Sequence, residues 1–153
     1  EDLASAGLKE SARFRLFCFP FAGGGAAAFA KWPRLFDPDV DVEVLHLPGR
    51  EERRREAAFD RLEPLLRELE IALGSYLDLP YAFYGHSMGA HIAFYLARRL
   101  RRRGLRQPHH LFVAACRAPH IPSPHPKIAR LPAEQFLREI TNRYKGIPTA
   151  ILQ

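Results

Sequence analysis

Residues 80–104 read PYAFYGHSMGAHIAFYLARRLRRRG, and the junction inside this stretch decides the fold. Pro80 to Tyr84 is a short apolar run that reads as a strand. From Met88 to Arg103 the pattern changes to a helical one: Ile92, Leu96 and Leu100 fall on one face, arginines on the other, and Gly104 closes the segment. Between the two lies Gly85-His86-Ser87-Met88-Gly89, which matches G-x-S-x-G. Three fixed small residues recur by chance, so the pattern alone is weak. Its context strengthens it, because a strand–serine–helix junction forces a sharp turn with the serine in a strained backbone conformation. Glycines are needed on both sides, since any Cβ there would collide with the neighbouring strand and helix. Such a turn lifts the hydroxyl clear of the sheet and sets it at a helix N-terminus, where backbone N–H groups can stabilise an oxyanion. Ser87 is therefore the expected nucleophile. The bland alternative is a glycine-rich turn carrying an idle serine.

Working outward from this junction, strands alternate with helices. Arg13 to Phe19 (RFRLFCF) reads as a strand ended by Pro20, and a helix is expected from about Ala26 to Phe36, with Pro33 blurring its end. Val40 to Leu47 alternates apolar and polar before Pro48-Gly49, as a second strand does. Phe59, Leu62, Leu66, Leu69, Leu73 and Tyr76 recur at steps of three or four and predict a helix. His110 to Cys116 (HLFVAAC) is a fourth strand after the helix that follows Ser87. This order predicts an α/β fold, a mostly parallel sheet with helices on both faces. Beyond Cys116, prolines 119, 122, 124 and 126 break the chain before a helix expected over Leu131 to Thr141, with Pro132 near its first turn. The expected organisation is a tail over 1–12 of the kind that is often disordered, a core over 13–118, and an inserted segment over 119–153.

An oxyanion hole needs two donors. One should be the N–H of Met88, the residue after the nucleophile; the other normally comes from the loop after an earlier strand. The loop Pro20-Phe21-Ala22-Gly23-Gly24-Gly25 is the obvious supplier, with the N–H of Ala22 favoured and Phe21 the adjacent option. The same loop has a rival meaning, since Gly23, Gly25 and Ala28 satisfy the dinucleotide pattern G-x-G-x-x-A. Two details oppose it. Pro20, Phe21 and Ala22 separate strand from first glycine, and the next strand ends in His46-Leu47-Pro48, with no acidic residue for a ribose.

The chain has 153 residues, 47% hydrophobic and 26% charged, enough for one domain with a sizeable core. No apolar run approaches the roughly 20 residues of a membrane span, and residues 1–12 do not read as a signal peptide. Cys18 and Cys116 sit in or beside apolar runs and read as reduced thiols, with the cytoplasm as the default compartment. No metal-ligand spacing is present, and no cofactor is called for. The net charge of +6 is largely arginine, at 53–55 and again at 98, 99, 101, 102, 103 and 106. A solvated surface is the plain reading of these clusters; an acidic protein partner is the functional one, and no nucleic-acid motif accompanies them.

Among the histidines, His86 lies inside the elbow and should point away from the hydroxyl, into the packing. His91, one helical turn on, should pack against a neighbour, and His46 reads as a strand-end residue. Sites of this type take acid and histidine after the serine. His109, His110, His120 and His125 do follow Ser87, but too early, at or just after the fourth strand.

Taken together, LFCFPFAGGG (16–25), LPGRE (47–51), YGHSMGA (84–90) and LFVAACRAP (111–119) resemble the type II, stand-alone thioesterases of polyketide and nonribosomal peptide synthesis, members of the α/β-hydrolase superfamily. The resemblance runs from about Arg13 onward and places the start of the family's helical lid at 131–141. It implies that Ser87 is the nucleophile and that the N–H groups of Met88 and Ala22 form the oxyanion hole. The implied substrate is an acyl group on the phosphopantetheine arm of an acidic acyl or peptidyl carrier protein, with no nucleic acid or membrane partner and no cofactor. The family's aspartate and histidine lie on later strands, and Asp60 and Asp78 match neither; the sequence therefore looks truncated before both. A type I product-releasing thioesterase domain and a non-catalytic carrier-binding fragment are the alternatives.

Overall fold

A computed structural model describes residue 9 and residues 11–143. Four strands form one parallel sheet: β1 (Phe14–Phe19), β2 (Val40–Val44), β3 (Tyr81–His86) and β4 (His110–Ala114). Three α-helices accompany them: α1 (Leu62–Leu73), α2 (Met88–Arg102) and α3 (Ala133–Arg143). The chain divides into two compact units, Glu1–Arg117 and Ala118–Gln153. Most of the tail expected over 1–12 lies outside the described residues; of the rest, Lys9 donates to the Val40 carbonyl at 3.3 Å and Ala12 is buried.

The order across the sheet is β2-β1-β3-β4, with Leu16 opposite Val42 on one side and Ala82 on the other. Strand period two sorts the side chains between two cores. Phe17, Phe19, Tyr81 and Phe83 face one side and pack with Leu69, Leu73, Leu96 and Leu100 of α1 and α2. Their rings meet edge-on, Phe19 and Phe83 at 5.0 Å between centroids. Leu16, Cys18, Val42, Val44 and Ala82 face the other side, under Phe29 and Trp32. Apart from Arg15, which is buried at the start of β1 and paired with Asp41 and Asp78, both faces of β1 and β3 are largely apolar, as a covered parallel sheet requires.

Three expectations are corrected. The helix from Ala26 to Phe36 is instead two short 3-10 turns, Ala26–Phe29 and Trp32–Arg34. Pro33 has no N–H to give, and the small-residue run Ala26 to Ala28 offers little apolar surface to bury, so the segment stays close to the sheet in short turns. Phe59 precedes α1 and is 40% exposed, while Leu65, absent from the expected stripe, is buried. The helix expected over 131–141 runs two residues later; Pro132 stands before it and its carbonyl accepts from the Phe136 N–H at 2.9 Å.

The topology also says where a site should be. From β1 the chain crosses to β2 on one side, whereas from β3 it crosses to β4 on the other. The boundary between β1 and β3 is therefore a switch point. Loops leaving adjacent strands in opposite directions open a crevice at their carboxyl ends, and the loops leaving β1 and β3 are Pro20–Gly25 and the Ser87 turn.

Candidate active site

Ser87 sits between β3 and α2 with φ +53° and ψ −112°, one of three described non-glycine residues with positive φ. The glycines beside it explain how so tight a turn is possible. A Cβ on Gly85 would come within 2.5 Å of the Ala90 Cα. One on Gly89 would overlap the Phe19 carbonyl oxygen and reach the Pro20 oxygen at 2.7 Å. The first turn of α2 is thus pressed against the end of β1. The Ser87 N–H donates to the Ala114 carbonyl at 2.9 Å, which ties the turn to β4, and the Ser87 carbonyl accepts from Ala90 at 3.1 Å.

Met88 opens α2, where N–H groups of the first turn have no partner inside the helix. Across the switch point, Phe21 lays its ring edge-on to His86 at 5.5 Å, so the glycine loop lies beside the elbow. Within that loop the Gly24 N–H donates to the Phe21 carbonyl at 3.0 Å, and Gly23 takes φ +77°. A turn of this kind needs positive φ at its third residue, which glycine supplies without steric cost. Ala22 is its second residue, and its N–H makes no hydrogen bond among the described residues.

His86 is half-buried with its ring against Phe21, and His91 is exposed, contrary to the packing expected of it. His46 lies two residues past β2, with its Nδ1 4.0 Å from Glu52 and its Nε2 buried without a hydrogen-bond partner. The backbone of His109 donates to the Tyr81 carbonyl, placing it at the opposite end of the sheet. Asp78 lies at that end too, bonded to Arg15, and Asp60 is exposed. Cys18 is no rival nucleophile: burial, with the nearby charge of Glu43, pushes its thiol up to about 12, so it stays protonated. Among the described residues no cluster of His, Cys, Asp or Glu could hold a metal ion, and no helix is long and apolar enough to cross a membrane.

Sequence reasoning quoted residues 47–51 only for their resemblance and gave Arg50 and Glu51 no role. The turn Pro48–Glu51 leaves β2 at the same end of the sheet, and its side chains reach both halves of the elbow region. Arg50 places its guanidinium 3.6 Å from the Met88 sulfur, and Glu51 accepts from the Ala26 N–H at 2.8 Å. The available signal was a Pro-Gly turn followed by two opposite charges at a strand's carboxyl end.

Comparison with known proteins identifies the family. Residues 14–153 match the model of the thioesterase domain. The chain is 40% identical over 149 residues to the gramicidin S biosynthesis protein GrsT of Aneurinibacillus migulanus, covering 97% of this chain and 58% of that protein. It is 40% identical over 129 residues to the human medium-chain S-acyl fatty acid synthase thioesterase, covering 84% of this chain and 47% of that one. Among solved structures, the RedJ thioesterase of the prodiginine pathway in Streptomyces coelicolor superposes with a TM-score of 0.79 at 39% identity, over 95% of this chain and 56% of that one. The chain spans about half the length of these relatives.

Proposed function

The chain belongs to the thioesterase domain family, and from that premise we propose that it forms the nucleophile-bearing part of an editing thioesterase acting on carrier-bound acyl groups. The observation that carries the reading is Ser87 at positive φ, between two glycines that no other residue could replace without overlap. Strain of this kind is kept where it serves a purpose, and in this reading the purpose is to present the hydroxyl at the start of α2.

In this mechanism Ser87 Oγ attacks the thioester carbonyl, and its proton passes to a histidine base oriented by an aspartate. The carbonyl oxygen becomes an oxyanion held by the N–H groups of Met88 and Ala22. Collapse of the tetrahedral intermediate breaks the C–S bond, and the phosphopantetheine thiolate leaves with the proton from the histidine. Water, deprotonated by the same base, then attacks the acyl-serine; the acyl–Oγ bond breaks, Ser87 Oγ takes the proton back from the histidine, and a carboxylic acid is released. The reading draws both the base and the aspartate from chain following residue 153, and it places the protein in the cytoplasm beside its carrier.

The carrier is an acidic acyl or peptidyl carrier protein. The exposed arginines it would meet are Arg54 and Arg55, at the end of the sheet that bears Ser87. The larger cluster at the end of α2 lies some 20 Å from the serine, a full helix length away, so it suits a solvated surface better than a docking site. The editing role is favoured over product release by GrsT and RedJ, which exceed this chain by less than twofold, the size of stand-alone enzymes.

The test is intact-mass analysis of the protein as its gene encodes it, with and without a fluorophosphonate probe. We expect one adduct, mapped to Ser87, and steady hydrolysis of an acyl-phosphopantetheinyl carrier. Ser87→Ala should remove both, lowering turnover by at least about 10⁴-fold. Turnover that survives Ser87→Ala would sink the proposal.

A further inference from the structure

The turn that leaves β2 is held in unusual backbone geometry. Gly49 takes φ +79°, and a Cβ there would lie 2.6 Å from that of Ala58. Two residues on, Glu51 is a non-glycine residue at φ +43°, a conformation that costs on the order of 1 kcal/mol. It persists only if the surroundings over-determine it. They do so through its carboxylate, which accepts from the Ala26 N–H at 2.8 Å and rests on the Gly25 Cα, in the space a Cβ would occupy. Beside it, half-buried Arg50 touches the Met88 sulfur and has no carboxylate partner among the described residues. Burial draws its pKa down from the usual arginine value.

Glu51 therefore grips the chain immediately after the glycine loop. That loop needs a grip: three successive glycines carry no side chains to anchor them, and glycine loses the most backbone freedom on ordering. We propose that Glu51 is a positioning residue for the oxyanion hole, fixing Gly25 and Ala26 so that the Ala22 N–H stays aimed beside Ser87, while Arg50 steadies Met88. The inference rests on the thioesterase reading given above. Its basis is geometric rather than electrostatic. A negative charge on this loop opposes an oxyanion, so a neutral acceptor of the same shape should serve as well.

The experiment measures the rate of fluorophosphonate labelling at Ser87, together with kcat and KM for a carrier-bound thioester, in the full protein. Glu51→Ala should lower labelling and kcat by about 10- to 100-fold, the loss expected when a donor moves by about an ångström. KM should stay within about twofold, because the substrate still binds as before. Glu51→Gln should return most of the rate. Gly25→Ala should resemble Glu51→Ala, since its Cβ takes the place of the carboxylate, and the double variant should be no slower than either single one. Should Glu51→Ala fail to fold, Gly25→Ala and Glu51→Gln carry the test. Wild-type rates in Glu51→Ala, a Glu51→Gln as slow as alanine, or additive losses in the double variant overturn the proposal alone. An unmutated protein that is not labelled at Ser87 overturns the esterase reading and this one with it.

Discussion

At the scale of single residues, Ser87 shows a conflict between stability and chemistry. Its φ of +53° and ψ of −112° fall outside the regions that L residues favour, and the neighbouring glycines leave it no room to relax. Replacing it with alanine removes the hydroxyl but keeps the strain, whereas glycine removes both. Ser87→Gly should therefore be more stable than Ser87→Ala by about 1 kcal/mol, the strain relieved less the extra chain entropy of glycine. Urea unfolding of the two variants measures this directly. Equal midpoints would mean that the turn is relaxed, and the structural argument for a nucleophile would weaken. The need for glycine at 85 and 89 was legible in the sequence because it follows from the turn alone. The contact of Glu51 with Gly25 was not, because it joins residues from two loops through a backbone conformation that no spacing announces.

At the scale of elements, the strands were the most legible part, and the reason lies in their burial. Arg15 apart, β1 and the first four residues of β3 carry apolar or aromatic side chains on both faces, so residues 16–19 and 81–84 stand out as short runs. The segment 26–36 was not legible, since alanines favour helix locally while Pro33 and the contacts of Phe29 and Trp32 with the sheet decide otherwise. β4 presents the opposite case. It was read correctly as a strand, yet among the described residues it is an edge of the sheet, paired with β3 alone, and Phe112 and Val113 on its alternate faces are 52% and 53% exposed. Unpaired backbone groups beside apolar side chains are a template for association. A polypeptide of these 153 residues alone should therefore associate, giving a mass by light scattering of at least about twice 17.4 kDa. Val113→Lys should shift it towards monomer. A clean monomer before the substitution would contradict the argument.

For the molecule as a whole, the excess of 23 basic over 17 acidic side chains makes the acids the scarcer partner, and several are committed to arginines. Hydrogen bonding from Arg15 holds Asp78 below its usual value, and Arg53 does the same for Glu56. Burial alone would raise Glu70, but Arg99 and Arg103 outweigh it and hold that carboxyl low as well. Glu70 lies on α1 and reaches Arg99 of α2, with its side chain 11% exposed and the Arg103 Nε at 3.1 Å. A carboxylate depressed in the folded state binds fewer protons there than in the unfolded chain. Its contribution is then complete above the ordinary carboxylate range of about 4 and is lost as pH falls through the folded value. The arginines keep their charge throughout, so protonating the acids also leaves repulsion unopposed. The melting temperature should therefore be level from about pH 8 to 5.5 and fall steeply below about 4.5. Glu70→Gln should lower it at pH 7 yet scarcely at pH 3, so that the two curves converge on acidification. About 1 M salt should narrow the neutral-pH gap, because it screens the exposed part of the network. A gap between wild type and Glu70→Gln of equal size at both pH values would mean that Glu70 contributes by packing, and that the arginines around it are incidental to stability.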